Sequence, residues 1–105
     1  MAGRPLDDLF NALADPTRRA LLERLVHDGP HTATQLAARS PLSRQAIVKH
    51  LQALAAAELV ASQRQGREVR YRATTATLAA AISWLLDTSE AWDRRAERLR
   101  SIDQR

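Results

Sequence analysis

Residues 43–52, SRQAIVKHLQ, carry side chains that can read base edges at helical spacing. If Ile47, Leu51 and Leu54 face inward, then Arg44, Gln45, Val48, Lys49 and Gln52 face outward. Arginine and lysine donate to guanine O6 and N7. Glutamine pairs with adenine N6 and N7, and valine touches a thymine methyl. Ser43 stands where an N-cap is needed. His50 lies beside the inward row and is assigned to the phosphate edge. An ordinary amphipathic helix also has a polar outer face, so the flanking segments must decide between the two.

Downstream, Arg64, Arg67, Arg70 and Arg72 crowd a hairpin whose tip is Gln65-Gly66-Arg67. Charges on a hairpin can serve only to discourage edge-to-edge pairing. Four arginines against Glu68 exceed that need, so phosphate contact is expected, with Arg67 entering a minor groove. The return strand alternates, with Val69 and Tyr71 on one face and Arg70 and Arg72 on the other. Tyr71 is expected to pack beneath the hairpin. The surrounding charge agrees: residues 30–74 hold seven cations against Glu58 and Glu68, within a chain of net charge +4. Lysine is nearly absent, Lys49 standing against 15 arginines.

Five helices are needed to hold these parts. Leu6, Leu9, Phe10 and Leu13 mark a first amphipathic helix. Asp15-Pro16 starts a second, with Ala20, Leu21, Leu22, Leu25 and Val26 inward, and Asp28-Gly29-Pro30 stops it. Thr32 caps a short third helix, roughly 33–39, that buries Leu36 and Ala37. Ser40-Pro41-Leu42 is the turn into the fourth. Leu59 and Val60 open the hairpin. Thr74 or Thr75 caps a last helix in which Leu78, Ile82, Leu85, Ser89, Trp92, Ala96 and Leu99 form a heptad seam, flanked by Trp84 and Leu86. So long a seam exceeds what a 105-residue core can cover, so part of it is expected to meet another chain.

The fold class expected is mainly α with a small β-hairpin: a winged helix-turn-helix of five helices and a two-stranded wing. It forms one domain over 1–105, with the helix-turn-helix at 32–57 and the wing at 59–73. With no cysteine, disulfides, thiolate metal sites and thiol switches are excluded. His27 and His31 are four apart but separated by Gly29-Pro30, so they do not share a helical face as a metal pair requires. Glu90, Asp93 and Glu97 read as ion-pair partners of Arg94 and Arg98. No catalytic constellation, cofactor motif, signal core or transmembrane run is present, so a cytoplasmic protein without enzymatic activity is expected.

Three blocks in order resemble the ArsR/SmtB family of winged-helix repressors: LADPTRRALLERL (13–25), LSRQAIVKHLQALAAAELV (42–60) and RQGREVRYRAT (64–74). The resemblance implies a homodimer packed through the first and last helices (1–14 and 75–105). Leu6, Phe10, Leu78, Ile82, Leu85, Trp92 and Leu99 would lie at its interface, and a double-stranded inverted-repeat operator would be its partner. Val48 replaces a frequent serine of the family and Glu58 a frequent glycine. Family metal sensors carry cysteines in the third helix or histidine–carboxylate sets in the last, and neither is found here. The last helix, AISWLLDTSEAWDRRAERL (81–99), is similar to the metal-independent branch, and no effector is indicated. The rival reading is a protein-interaction module that uses the same fold without DNA.

Overall fold

Asp15 and Pro16 separate the first two helices by side-chain chemistry alone. The Asp15 carboxylate accepts from the N–H groups of Thr17 (2.8 Å) and Arg18 (3.3 Å), while Pro16 occupies the first helical turn, where no N–H is missed. The computed structural model describes residues 5–74 and 76–103. In chain order these form α1 (Pro5–Leu13), α2 (Pro16–Asp28), β1 (His31–Thr32), α3 (Ala33–Ala38), α4 (Arg44–Ala56), β2 (Val60–Gln65), β3 (Glu68–Ala73) and α5 (Ala76–Asp103). Five helices and the basic hairpin thus stand where the sequence places them.

Local chemistry sets the boundaries. Gly29 ends α2 at φ 86°, a conformation glycine adopts without a Cβ penalty. Thr32 and Gln35 form a reciprocal capping box at the start of α3. Ser43 Oγ accepts from the Ala46 N–H at 3.2 Å and caps α4. At the tip, Gly66 takes φ 63° as the first of two turn residues between the paired Gln65 and Glu68.

The end of α4 is less relaxed. Leu59 N–H donates to Leu54 C=O and Glu58 N–H to Ala55 C=O, the double bond of a Schellman motif. The left-handed position belongs to Glu58, at φ 59°, where glycine is the usual occupant. Thr74 clamps this corner: its hydroxyl donates to Glu58 C=O at 2.6 Å, and its N–H donates to Leu59 C=O at 2.9 Å. That hydroxyl is therefore turned to the α4–β2 corner, and the alternative cap, Thr75, lies outside the described residues.

The sheet has one strand more than the hairpin. His31 pairs with Tyr71 and Thr32 with Arg70, giving the antiparallel order β1-β3-β2. Pro30 cannot continue α2, and the Thr32 cap requires extended backbone (φ −80°, ψ 160°). Two extended residues are then available beside β3.

The core is the set Leu9, Leu36, Ile47, Leu51, Leu54 and Leu59, all at most 1% exposed. Each such side chain stabilises the fold by about 1.5–3 kcal/mol. On α2 the buried residues are Leu21, Leu22 and Leu25; Ala20 and Val26, expected inside, are exposed. They sit on the edges of a stripe too narrow to include them. In α3 Leu36 is buried and Ala37 half-buried.

The 28-residue α5 is about 42 Å long, and its core contact ends early. Ala81 is buried, whereas Ile82, Leu85, Leu86, Trp92 and Leu99 are exposed. Among the described residues, its one ion pair joins Glu97 to Arg100 at 2.8 Å, not the i,i+4 pairs expected with Arg94 and Arg98.

Glu58→Gly removes a Cβ from the left-handed region and should stabilise the domain by about 1 kcal/mol despite the freer unfolded chain. Thermal unfolding followed by circular dichroism checks this. A melting temperature that stays level or falls would mean that Glu58 carries no net strain.

Candidate nucleic-acid interface

Burial of Ile47, Leu51 and Leu54 sets the rotation of α4 about its axis. Gln45, Lys49 and Gln52 consequently stand on the opposite, exposed side. Arg44 and Val48 lie on the flank toward the wing. Arg44 Nε donates to Thr34 Oγ1 at 3.2 Å, which ties it to the first turn of α3. Val48 is half-buried and packs against the core. Of the five outward candidates, three are free and two are partly engaged by the protein itself.

His50 occupies the other flank, half-buried and close enough to Asp15 to act on its carboxyl electrostatically. Desolvation opposes the Asp15 charge. The Arg18 and Thr17 N–H donors, with the His50 and Arg18 charges, outweigh it and hold the carboxyl below its ordinary value. The histidine read as a phosphate contact thus also lies within electrostatic reach of a carboxylate of its own protomer.

Cross-strand pairing sorts the hairpin arginines by face. Arg64 pairs with Val69, so it shares the face of Val69 and Tyr71, which turns toward α3 and α4. Tyr71 packs against the core, as expected. Arg70 pairs with Gln63 and Arg72 with Ala61; with Pro30 and Gln65 these two arginines line the opposite face. Arg70 is also engaged by Glu68 at 3.2 Å. Arg67 occupies the turn, and Arg64 Nε donates to Gly66 C=O at 3.3 Å. Between α3, α4 and the wing runs a groove of ≈ 480 Å³ that brings Arg44 and Arg67 onto one surface. Thr34 and Gln35 also line it and were absent from the residues chosen by sequence. For Gln35 the T-x-x-Q capping pattern at 32–35 was the legible signal.

The residues expected at a dimer interface also divide. Leu6 and Leu78 are half-buried against their own core. Phe10 meets Trp84 edge-on, with ring centroids 5.8 Å apart, and both remain partly open. Ile82, Leu85, Trp92 and Leu99 are uncovered, Trp92 by 70%. Among the described residues no group of three or more His, Cys, Asp or Glu could hold a metal ion, and no helix is long and apolar enough to cross a membrane.

A helix-turn-helix with an exposed polar reading face and a basic hairpin beside it defines a winged helix-turn-helix DNA-binding domain. A family model described as a helix-turn-helix domain matches residues 13–63. An ArsR-like transcriptional regulator from Rhodococcus sp. RHA1 superposes with a TM-score of 0.84 at 44% identity, covering 93% of this chain and 92% of that one. The transcriptional repressor SdpR of Bacillus subtilis is 34% identical over 78% of this chain and 90% of its own length. The HTH-type transcriptional regulator Rv2034 of Mycobacterium tuberculosis is 43% identical over 73% of this chain and 71% of its own. The chain belongs to the ArsR family of winged helix-turn-helix transcriptional regulators.

Because the folded-state pKa of Asp15 is depressed, its charge contributes stability above the unfolded value of 3.8 and loses it as pH falls through the lower folded value. Asp15→Asn keeps an acceptor at the cap but does not titrate. Below about pH 4 the stability of the parent should fall more steeply than that of the variant. Parallel curves from urea melts across this range would remove Asp15 as an acid-labile contact.

Proposed function

We propose that the chain acts as a dimeric repressor that reads an inverted-repeat operator in double-stranded DNA. The observation that carries this reading is the row Gln45, Lys49 and Gln52, exposed on a helix whose opposite side is wholly buried. Side chains of these types discriminate base edges in a major groove. Ser43, Arg44 and Val48 support that helix at the α3 side, and His50 lies at its far edge. Arg64 and Arg67 would hold phosphates near the wing tip. Arg70 and Arg72, on the other wing face, would meet the flanking backbone.

Dimerisation supplies the second half-site. The uncovered Ile82, Leu85, Trp92 and Leu99 of α5, with the partly open Phe10 of α1, offer apolar side chains to a second copy. Two α4 helices about 34 Å apart would enter successive major grooves. The name repressor, carried by the SdpR relative, favours occlusion of promoter DNA over activation. No catalytic role belongs to this reading, and its site of action is the cytoplasm. Fluorescence anisotropy on genomic fragments across a salt series tests it: sequence-selective binding with a steep negative salt slope is expected. Salt-insensitive or absent binding would favour the protein-interaction alternative.

Arg67→Ala should weaken all DNA sequences about equally and lower the salt slope by about 1. Gln45→Ala or Lys49→Ala should instead cost about 1–3 kcal/mol on the preferred site and relax its base preference. Selection of bound fragments with each variant separates the two roles, and a motif shift with Arg67→Ala would reverse the assignment.

Trp92→Arg places an unpaired charge in the α5 seam and should yield monomers in sedimentation velocity. A variant that sediments as a dimer would move the interface elsewhere.

A further inference from the structure

The exposure of Ala20 exposes a feature that the DNA-binding role leaves unused. Ala20 and Leu21 of α2, Leu36 of α3, and Pro41 and Leu42 of the α3–α4 turn line an open groove of ≈ 410 Å³. Nothing from the described residues covers it, although its lining is mostly apolar carbon. The volume is within the range of small-molecule sites. Two arginines, Arg24 and Arg39, are among the lining residues, and no aspartate or glutamate among the described residues is. Arg24 is oriented by its Nη1 donation to the Leu36 carbonyl at 3.2 Å, and its remaining N–H groups are available to a ligand.

We infer that this groove binds a small amphipathic organic acid, its alkyl or aryl body on the accessible Ala20, Pro41 and Leu42 and its carboxylate held by Arg24 and Arg39. An apolar floor rewards the hydrocarbon. The guanidinium fork selects a carboxylate over a neutral head group. A helix of another protein would also bury apolar surface, but it would leave both guanidiniums without an anionic partner.

The position gives such a ligand a regulatory effect, which rests on the DNA-binding reading. Ser40-Pro41-Leu42 leads directly into Ser43, the cap of α4. A bound carboxylate adds negative charge beside this turn and neutralises Arg39, one of the cations of the basic 30–74 segment. DNA affinity therefore falls when the groove is filled.

The test uses the full chain labelled with ¹⁵N, titrated with octanoate and with its neutral isostere octanamide. Octanoate should bind saturably with a Kd on the order of 1 mM, as a ligand of about ten heavy atoms allows. Its shifts should cluster at Ala20, Arg24 and Leu42, and octanamide should bind about tenfold more weakly. Ala20→Phe fills the groove from an exposed helical position and should abolish the shifts while leaving the circular dichroism unchanged. Arg39→Gln should bring octanoate down to the affinity of octanamide. Equal binding of the two probes, shifts centred on Trp92 and Leu99, or no saturation by about 10 mM would overturn the site. In a parallel anisotropy assay, saturating octanoate should weaken DNA binding about threefold or more in the parent and not in Ala20→Phe. An unchanged DNA affinity with octanoate bound overturns the regulatory role. Absence of DNA binding without any ligand would overturn the DNA-binding reading and leave the ligand titration standing.

Discussion

The rotation of α4 about its own axis is the constraint on which the rest of the structure depends. Ile47, Leu51 and Leu54 are fully buried against leucines from α1, α3 and the start of the wing. Turning the helix by one residue, about 100°, would expose these three and bury polar side chains from its outer face. Several kcal/mol of apolar burial therefore hold Gln45, Lys49 and Gln52 in solvent. The polar face is presented because its opposite is committed to the core.

The two ends of α4 transmit that orientation. At the start, Ser43 binds the Ala46 N–H, and Arg44 reaches back to Thr34, so α3 and α4 are joined across the turn by both packing and a side-chain hydrogen bond. At the finish, the Schellman bonds turn the chain sharply into β2, with Leu54 and Leu59 buried together beneath the corner. Glu58 meets a conformational demand that glycine would meet without a Cβ penalty. Thr74 braces the same corner from the far side of the hairpin. The wing's position relative to α4 is thus a property of one strained, well-bonded junction.

Much of this was readable from the sequence because its signals are local. The 4-3 repeat of Ile47, Leu51 and Leu54, the Asp15-Pro16 start, the Ser43 and Thr32 caps and the Gly66 turn all depend on neighbours within a few residues. What escaped reading depends on partners distant in sequence. Strand β1 has two residues and no periodicity, and exists because Pro30 and the Thr32 cap leave it extended beside β3. Ala20 and Val26 have the right type for a core, but whether α2 buries them depends on how wide a stripe its neighbours cover. The alternation of Val69, Arg70, Tyr71 and Arg72 was legible. That the turn residue Arg67 would share a groove with Arg44 was not, because it depends on how the wing leans on α3 and α4.

The last helix shows the limit of a single protomer. Its first turns are anchored by Thr77, Leu78 and Ala81, and Trp84 leans on Phe10 with an edge-to-face contact. Beyond that point the 4-3 seam continues through Trp92 and Leu99, which no described residue covers. A helix of this length with an open apolar stripe is poorly stabilised by propensity alone, since isolated helices are marginal in water. Its distal half would be stabilised by an apolar surface that the described residues of the protomer do not provide. The seam begins in the same turns that pack on α1, so a second copy docking there would extend the existing core rather than found a new one. On the proposed dimer, the orientation of α4 and the separation of its two copies would then share one continuous hydrophobic structure.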